Sequence, residues 1–221
     1  MSARTGLVVA VDGPSGSGKS STSRGVATRL GLRYLDTGAM FRAMTWWLLK
    51  QGVDVQDAAA VASRCGEPTI LSGTDPAAPT IEVDGTDAAT AIRGDDVTGS
   101  VSPVSAVPEV RACLLDLQRA VIGDGGIVVE GRDIGSVVTP DADVKVYLTA
   151  NPGARAARRA LEDGGSDVTA TEQSLLARDK IDSSRTTAPL VMADGATHVD
   201  TTAYTLDEVV DLIVGLVEAA R

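Results

Sequence analysis

Leu7-Val8-Val9-Ala10-Val11-Asp12 runs directly into Gly13-Pro14-Ser15-Gly16-Ser17-Gly18-Lys19-Ser20-Ser21, and this stretch decides the fold class. The first five residues form a short, continuously apolar run, the pattern of a strand buried on both faces of a parallel sheet. Gly13 to Ser20 fits GxxxxGK[ST], and Ser20 to Leu30 continues with helical spacing to a stop at Gly31. A strand before the motif and a helix after it are the context that makes a phosphate loop. Its glycines let consecutive backbone N–H groups turn toward phosphate oxygens, and the helix N-terminus adds a partial positive charge. Lys19 supplies a point charge for the β- and γ-phosphates, and the Ser20 hydroxyl is a ligand for Mg²⁺. The candidate ATP phosphate site is therefore Gly13, Pro14, Ser15, Gly16, Ser17, Gly18, Lys19, Ser20 and Ser21.

Outward from this loop the pattern alternates. Arg33 to Leu35 is expected as a second strand and Ala39 to Lys50 as a helix, with another helix within 54–66. Thr69-Ile70-Leu71, Thr80-Ile81-Glu82-Val83 and the Asp84-Gly85 turn suggest short antiparallel strands in an insertion. Helices are then expected over 109–122, 154–162, 171–183 and 206–220, with strands at 127–129, 144–148 and 198–200. Strands alternating with helices imply an α/β fold, a parallel sheet with helices on both faces. The division expected is a core of about 1–36, 106–153 and 172–221, a monophosphate-binding subdomain of about 37–105 and a short lid of about 154–171.

Bulk properties remove several classes. The formal net charge is −10, the opposite of what a nucleic-acid-binding surface needs. No apolar run reaches the ~18 residues of a membrane span. The N-terminus carries no secretory signal pattern, and Cys65 and Cys113 form no disulfide framework, which together fit a cytoplasmic protein with reduced thiols. His198, the only histidine, is expected to pack or face solvent, and Trp46 and Trp47 to pack.

Three further motifs narrow the class. Leu35-Asp36-Thr37-Gly38-Ala39-Met40-Phe41-Arg42 resembles the L-D-[ST]-G-A-x-[YF]-R segment of the bacterial cytidylate kinase family, and Asp12 to Lys19 is similar to that family's DGPSGxGK loop. Glu130-Gly131-Arg132-Asp133-Ile134-Gly135 resembles its (D/E)GRD(I/M)G motif. Arg178-Asp179-Lys180-Ile181-Asp182-Ser183-Ser184-Arg185, followed by Ala188-Pro189-Leu190, resembles its RDxxDxxR…APL block. The four motifs stand in family order from residue 12 to residue 190. Phe41 replaces a common Tyr, and Lys180 stands where an acidic residue is common.

The resemblance implies a P-loop kinase that transfers a phosphoryl group from ATP, with Mg²⁺, to CMP or dCMP, acting as a monomer. It assigns the monophosphate to Arg42, Arg132 and Arg185, the base to Asp133, Arg111 and Ser102, and the sugar side to Arg178 and Asp182, with Arg178 also near the phosphates. Thr37 and Phe41 complete the implied CMP site. Three guanidiniums can hold a dianion through bidentate, charge-assisted bonds. An acceptor phosphate that is already ionised needs little general-base help, so positioning and charge neutralisation suffice. A carboxylate suits the exocyclic amino group of cytosine, whereas uracil would set two acceptors face to face. Arg155, Arg158 and Arg159 share a helical face before Gly164-Gly165 and resemble the arginines of a lid that stabilises the transferring phosphoryl group beside Lys19 and Arg132. Two alternatives stay open at this stage: a kinase of another small acceptor such as UMP, AMP or shikimate, and a non-catalytic nucleotide-binding regulator.

Overall fold

The computed structural model describes residues 6–162 and 164–220. Strand β1 (Val8–Asp12) is buried along its whole length. Val8 and Ala10 enter one apolar cluster while Val9 and Val11 enter another, so the two-residue side-chain period of a strand feeds two separate cores. With β2 (Arg33–Asp36), β6 (Ile127–Gly131), β7 (Val144–Thr149) and β8 (Thr197–Asp200) it forms a five-stranded sheet in the order β2-β6-β1-β7-β8. All four pairings are parallel.

One face is covered by α1 (Lys19–Leu30) and α8 (Leu206–Ala219), through Val26, Ala27, Val209, Val210, Ile213 and Val217. The other carries α2 (Thr37–Lys50) and α5 (Pro108–Ile122), through Met40, Met44, Leu48, Val110 and Leu114. The expected sheet with helices on both faces is what forms. α8 starts on a reciprocal capping box between Thr205 and Glu208. α5 starts with Pro108 at its first turn, where the missing N–H has no helical partner to lose.

The insertion after α2 contains α3 (Ala58–Arg64) and an antiparallel sheet of β3 (Ile70–Ser72), β4 (Ile81–Val83) and β5 (Thr86–Asp87). Asp84 and Gly85 take positive φ values of 50° and 75°, the two-residue hairpin turn that an Asp-Gly pair favours. Asp84 also accepts from the Trp47 indole N–H at 2.9 Å and the Thr69 N–H at 2.8 Å, which docks this hairpin on α2.

Helix α4 (Asp95–Ala106) is an element the sequence does not announce. Gly99, Pro103 and a Ser/Thr/Asp-rich composition give it weak helical propensity. The helix forms because Val97, Val101 and Val104 are buried where α4 packs among α2, α5 and α7 (Val168–Ser184), and packing outweighs poor local propensity. After β7 come α6 (Pro152–Glu162) and α7 (Val168–Ser184), which pack on each other. Between them Gly164 and Gly165 adopt φ 79° and 93°; Asp163, part of the expected break, lies outside the described residues. No helix among the described residues is long and apolar enough to cross a membrane.

Candidate functional site

The parallel register brings the motifs together. Asp12 aligns with Gly131, and Asp36 with Glu130, so the phosphate loop, the 36–42 segment and the 130–135 segment all emerge at the carboxyl ends of adjacent strands. Open α/β sheets bind ligands at this edge. Here it forms a cleft of about 330 Å³ lined by Ser15, Gly16, Gly18, Lys19, Ser20 and Ser21 at one end and by Phe41, Ser102, Arg111 and Asp133 at the other.

Loop geometry accounts for its glycines. Gly13 sits at φ 150°, and a Cβ there would lie 2.1 Å from the Leu148 carbonyl oxygen of β7. Ser17 is fully buried, and its hydroxyl donates to the Pro14 carbonyl at 3.0 Å. Lys19 Nζ donates to the same carbonyl at 2.7 Å. Burial, and then the nearby Arg132 charge, lower the Lys19 amine to about 7.

A carboxylate pocket backs the loop. Glu130 is 3% exposed; it accepts from the Ser20 hydroxyl at 3.1 Å and from the Tyr34 hydroxyl. Burial, with Asp36 adding to it, pushes its carboxyl up to about 7. Asp12 is likewise 3% exposed; its two oxygens accept from the Ile134 and Gly135 N–H groups, each at 2.8 Å. Those bonds hold the wide turn Ile134–Val138 that follows Asp133, and burial still raises the Asp12 carboxyl to about 6. Glu130, Asp36, Tyr34 and Asp12 were not singled out from sequence as site residues. Their signal was present, because each stands at or near the end of a strand flanking the loop.

The far end of the cleft holds a buried ion pair. Arg111 Nη2 donates to Asp133 Oδ2 and Nη1 donates to the Ser105 carbonyl at 3.1 Å. The Arg111 guanidinium lies 5.1 Å over the Phe41 ring, a cation–π stack that fixes its plane. Ser102 lines the same end, on α4. Thr37 donates through its hydroxyl to the Glu130 carbonyl at 2.7 Å.

Between the two ends the lining is cationic. Arg132 pairs with Asp182 at 3.0 Å, and Asp182 also lies 3.7 Å from Arg185, so its ion pairs run across the cleft wall to Arg132 and Arg185. Arg42 donates to Thr98 Oγ1 at 3.0 Å. Burial and then the Arg178 and Arg159 charges lower Arg42 to about 9; burial and then Arg132 lower Arg178 to about 10; burial and then Arg111 lower Arg185. Nε of Arg178 and of Arg185 is buried without a hydrogen-bond partner. Guanidiniums that lower one another while leaving donors unused form a site shaped for an anion.

Of the three arginines expected on the lid, Arg158 and Arg159 line the cleft and Arg155 does not. Arg158 donates to the Thr201 carbonyl and hydroxyl at 2.7 and 2.9 Å. Arg155 is buried and donates to the Ser15 carbonyl at 2.9 Å and to Asp179. The shared helical face seen in the sequence spans enough arc that its residues have different partners, and Arg155 is held at the loop rather than in the cleft lining. His198 is exposed, 2.7 Å from the Thr149 hydroxyl and away from the cleft, as its isolated position suggested. Cys65 and Cys113 are free thiols.

A family model described as Cytidylate kinase matches residues 9–219. The chain belongs to the cytidylate kinase family. A cytidylate kinase of Streptomyces avermitilis is 58% identical over 217 residues, covering 97% of this chain and 94% of that one. One from Streptomyces griseus is 58% identical over 221 residues, with coverage of 99% and 96%. Among solved structures, an uncharacterized protein from Eubacterium ventriosum aligns over 96% of this chain and 98% of its own with a TM-score of 0.53 at 10% identity, a likeness of fold alone. Membership in the cytidylate kinase family spans all four motifs, and with them the phosphate loop, the arginine-lined wall and the Arg111–Asp133 pair.

Proposed function

We propose that this chain transfers the terminal phosphoryl group of ATP to CMP or dCMP. The observation that carries the reading is a single cleft with a phosphate loop at one end, the paired Arg111 and Asp133 at the other and under-used guanidiniums between them. ATP phosphates rest on the amides of Gly16 to Ser21 beside Lys19. Arg42, Arg132, Arg178 and Arg185 hold the acceptor monophosphate and neutralise its charge. Arg158 and Arg159 approach from the lid side. Asp133 accepts from the exocyclic amino group of cytosine, Arg111 donates to its ring acceptors and Ser102 assists. Asp182 orients Arg132 and Arg185 and faces the sugar. In the division proposed, 37–105 carries the base-reading residues Phe41 and Ser102, and 154–171 carries the lid.

Mg²⁺ fits the carboxylate pocket behind the loop. Ser20, Glu130 and Asp36 offer hard oxygen donors, and the raised Glu130 carboxyl marks a site where a cation would be welcome. When bound, the ion neutralises charge on the phosphates. The chain's own contribution is to align donor and acceptor, shield them from water and neutralise charge by fixed guanidiniums.

The test is ADP release with ATP and Mg²⁺ in the presence of CMP, dCMP, UMP or AMP. Turnover confined to CMP and dCMP is expected. Equal turnover with UMP, or none with any monophosphate, overturns the assignment.

A further inference from the structure

We infer that Asp179 and Arg155 are positioning residues for ATP, forming a two-point clamp that fastens helices α6 and α7 to the crest of the phosphate loop; the inference rests on the ATP-dependent kinase reading above. Asp179 belongs to the 178–185 motif yet does not line the cleft. Its Oδ1 accepts from the Ser15 backbone N–H at 3.2 Å, and its Oδ2 accepts from Arg155 Nη1. That same nitrogen donates to the Ser15 carbonyl at 2.9 Å. Both backbone groups of one loop residue are thus held by two side chains, one on α6 and one on α7.

The contact is built rather than incidental. Side-chain exposure is 5% for Arg155 and 16% for Asp179, so the pair is shielded from the solvent screening that makes surface ion pairs weak. α6 also packs directly on the loop: a Cβ on Gly16, whose φ is 75°, would lie 3.1 Å from the Arg155 Cβ and carbonyl oxygen. Leu175 of α7 approaches the same point at 3.4 Å. Phosphate binding by a loop depends on its amides being pre-aimed, since misalignment of donors by even 1 Å is costly. Ser15 and the following Gly16 line the cleft. Fixing the Ser15 peptide from outside therefore sets the direction of the amides that face the nucleotide. It also fixes the root of the lid, so that closure must come from the part of α6 beyond Arg155.

The experiment compares the full-length protein with Asp179→Ala, Asp179→Asn and Arg155→Ala, and with the Asp179→Ala/Arg155→Ala double variant. Kd for ATP and for CMP is measured separately by calorimetry, KM and kcat by ADP release, folding by thermal melting, and exchange of the Ser15 amide hydrogen by mass spectrometry. Asp179→Ala is expected to raise Kd and KM for ATP about tenfold or more while the Kd for CMP changes less than about twofold. Asp179→Asn, which keeps an acceptor for the Ser15 N–H, should recover part of the loss. The double variant should be no worse than the worse single one, because the two residues act as a unit. Unchanged ATP affinity in Asp179→Ala, or equal losses for ATP and CMP, would overturn the clamp. A wild-type protein with no ATP turnover would instead overturn the kinase reading, and faster Ser15 exchange in the variant then separates a loop-holding contact from none.

Discussion

Replacing Asp133 by Asn is the most direct probe of the base-reading end. Arg111 and Asp133 are buried together, with side-chain exposures of 8% and 6%, and Arg111 also donates to the Ser105 carbonyl. Asp133→Ala would strip a buried guanidinium of its counter-charge at about 3–5 kcal/mol, enough to confound activity with unfolding. Asp133→Asn also removes the counter-charge, but it keeps the shape and leaves one amide oxygen to accept from Arg111, so it should destabilise less than Ala. With that oxygen toward Arg111, the amide NH2 faces the base, so cytosine loses the charge-assisted bond from its amino group, a loss of at least about 1.5 kcal/mol, or about tenfold in kcat/KM. For uracil, the O4 acceptor now meets an N–H donor in place of a carboxylate oxygen, recovering a similar amount. The CMP-to-UMP ratio should therefore fall by about a hundredfold, close to 3 kcal/mol in total. Coupled ADP release at saturating ATP measures both substrates, with a thermal melt as the control for folding. A preserved ratio in a folded variant would refute the base-reading role of Asp133.

Other outcomes follow from the same geometry. Arg178→Met removes a desolvated cation whose neighbours Arg132 and Arg159 repel it, so the ligand-free protein should melt no lower than wild type, while KM for CMP rises at least about tenfold; a lower melting temperature would contradict the repulsion. Tyr34→Phe leaves Glu130 Oε1 without its donor at a site where Tyr34 is 1% exposed, and should cost about 1–3 kcal/mol in urea unfolding; a cost near zero would show that the bond contributes nothing. Leu114→Ala, at a fully buried site between α5 and the sheet, should cost about 2–5 kcal/mol in the same assay. The pH dependence has a defined sign. Asp12 rises from 3.8 to about 6 and Glu130 from 4.5 to about 7, so both hold their protons more tightly folded than unfolded. Their contribution is full below about pH 4 and is lost as pH climbs through 6 and 7. Lys19 moves the other way, from 10.5 to about 7, so its contribution grows between those values. Ligand-free stability should thus pass through a minimum near neutral pH, shallower with Mg²⁺ and ATP; a maximum there would refute the assignment of these groups as buried and charge-strained.

The elements legible in the sequence were those with strong local signals. The apolar run of β1, the glycine-rich loop, the Asp84-Gly85 hairpin and the amphipathic α8 each carry their period or turn chemistry within a dozen residues, and each forms as expected. α4 did not, because Gly99 and Pro103 mask a helix that only its buried valines hold. The candidate site divides the same way. Lys19 and Ser20 were readable because a contiguous motif sets them. The Asp12 bonds to Ile134 and Gly135 join residues 122 and 123 positions apart, and the Asp179 bond to Ser15 spans 164. Helical spacing likewise put Arg155 on a face with Arg158 and Arg159, but only the packing of α6 on the loop turned it to Ser15 and Asp179. Sequence by itself determined the parallel α/β class, the phosphate loop and the residue types in the cleft, since hydrophobic period and turn chemistry act over short range. Tertiary structure alone decided which carboxylate faces which cation, because strand register and helix packing, not chain spacing, set those distances and the desolvation that gives them their strength.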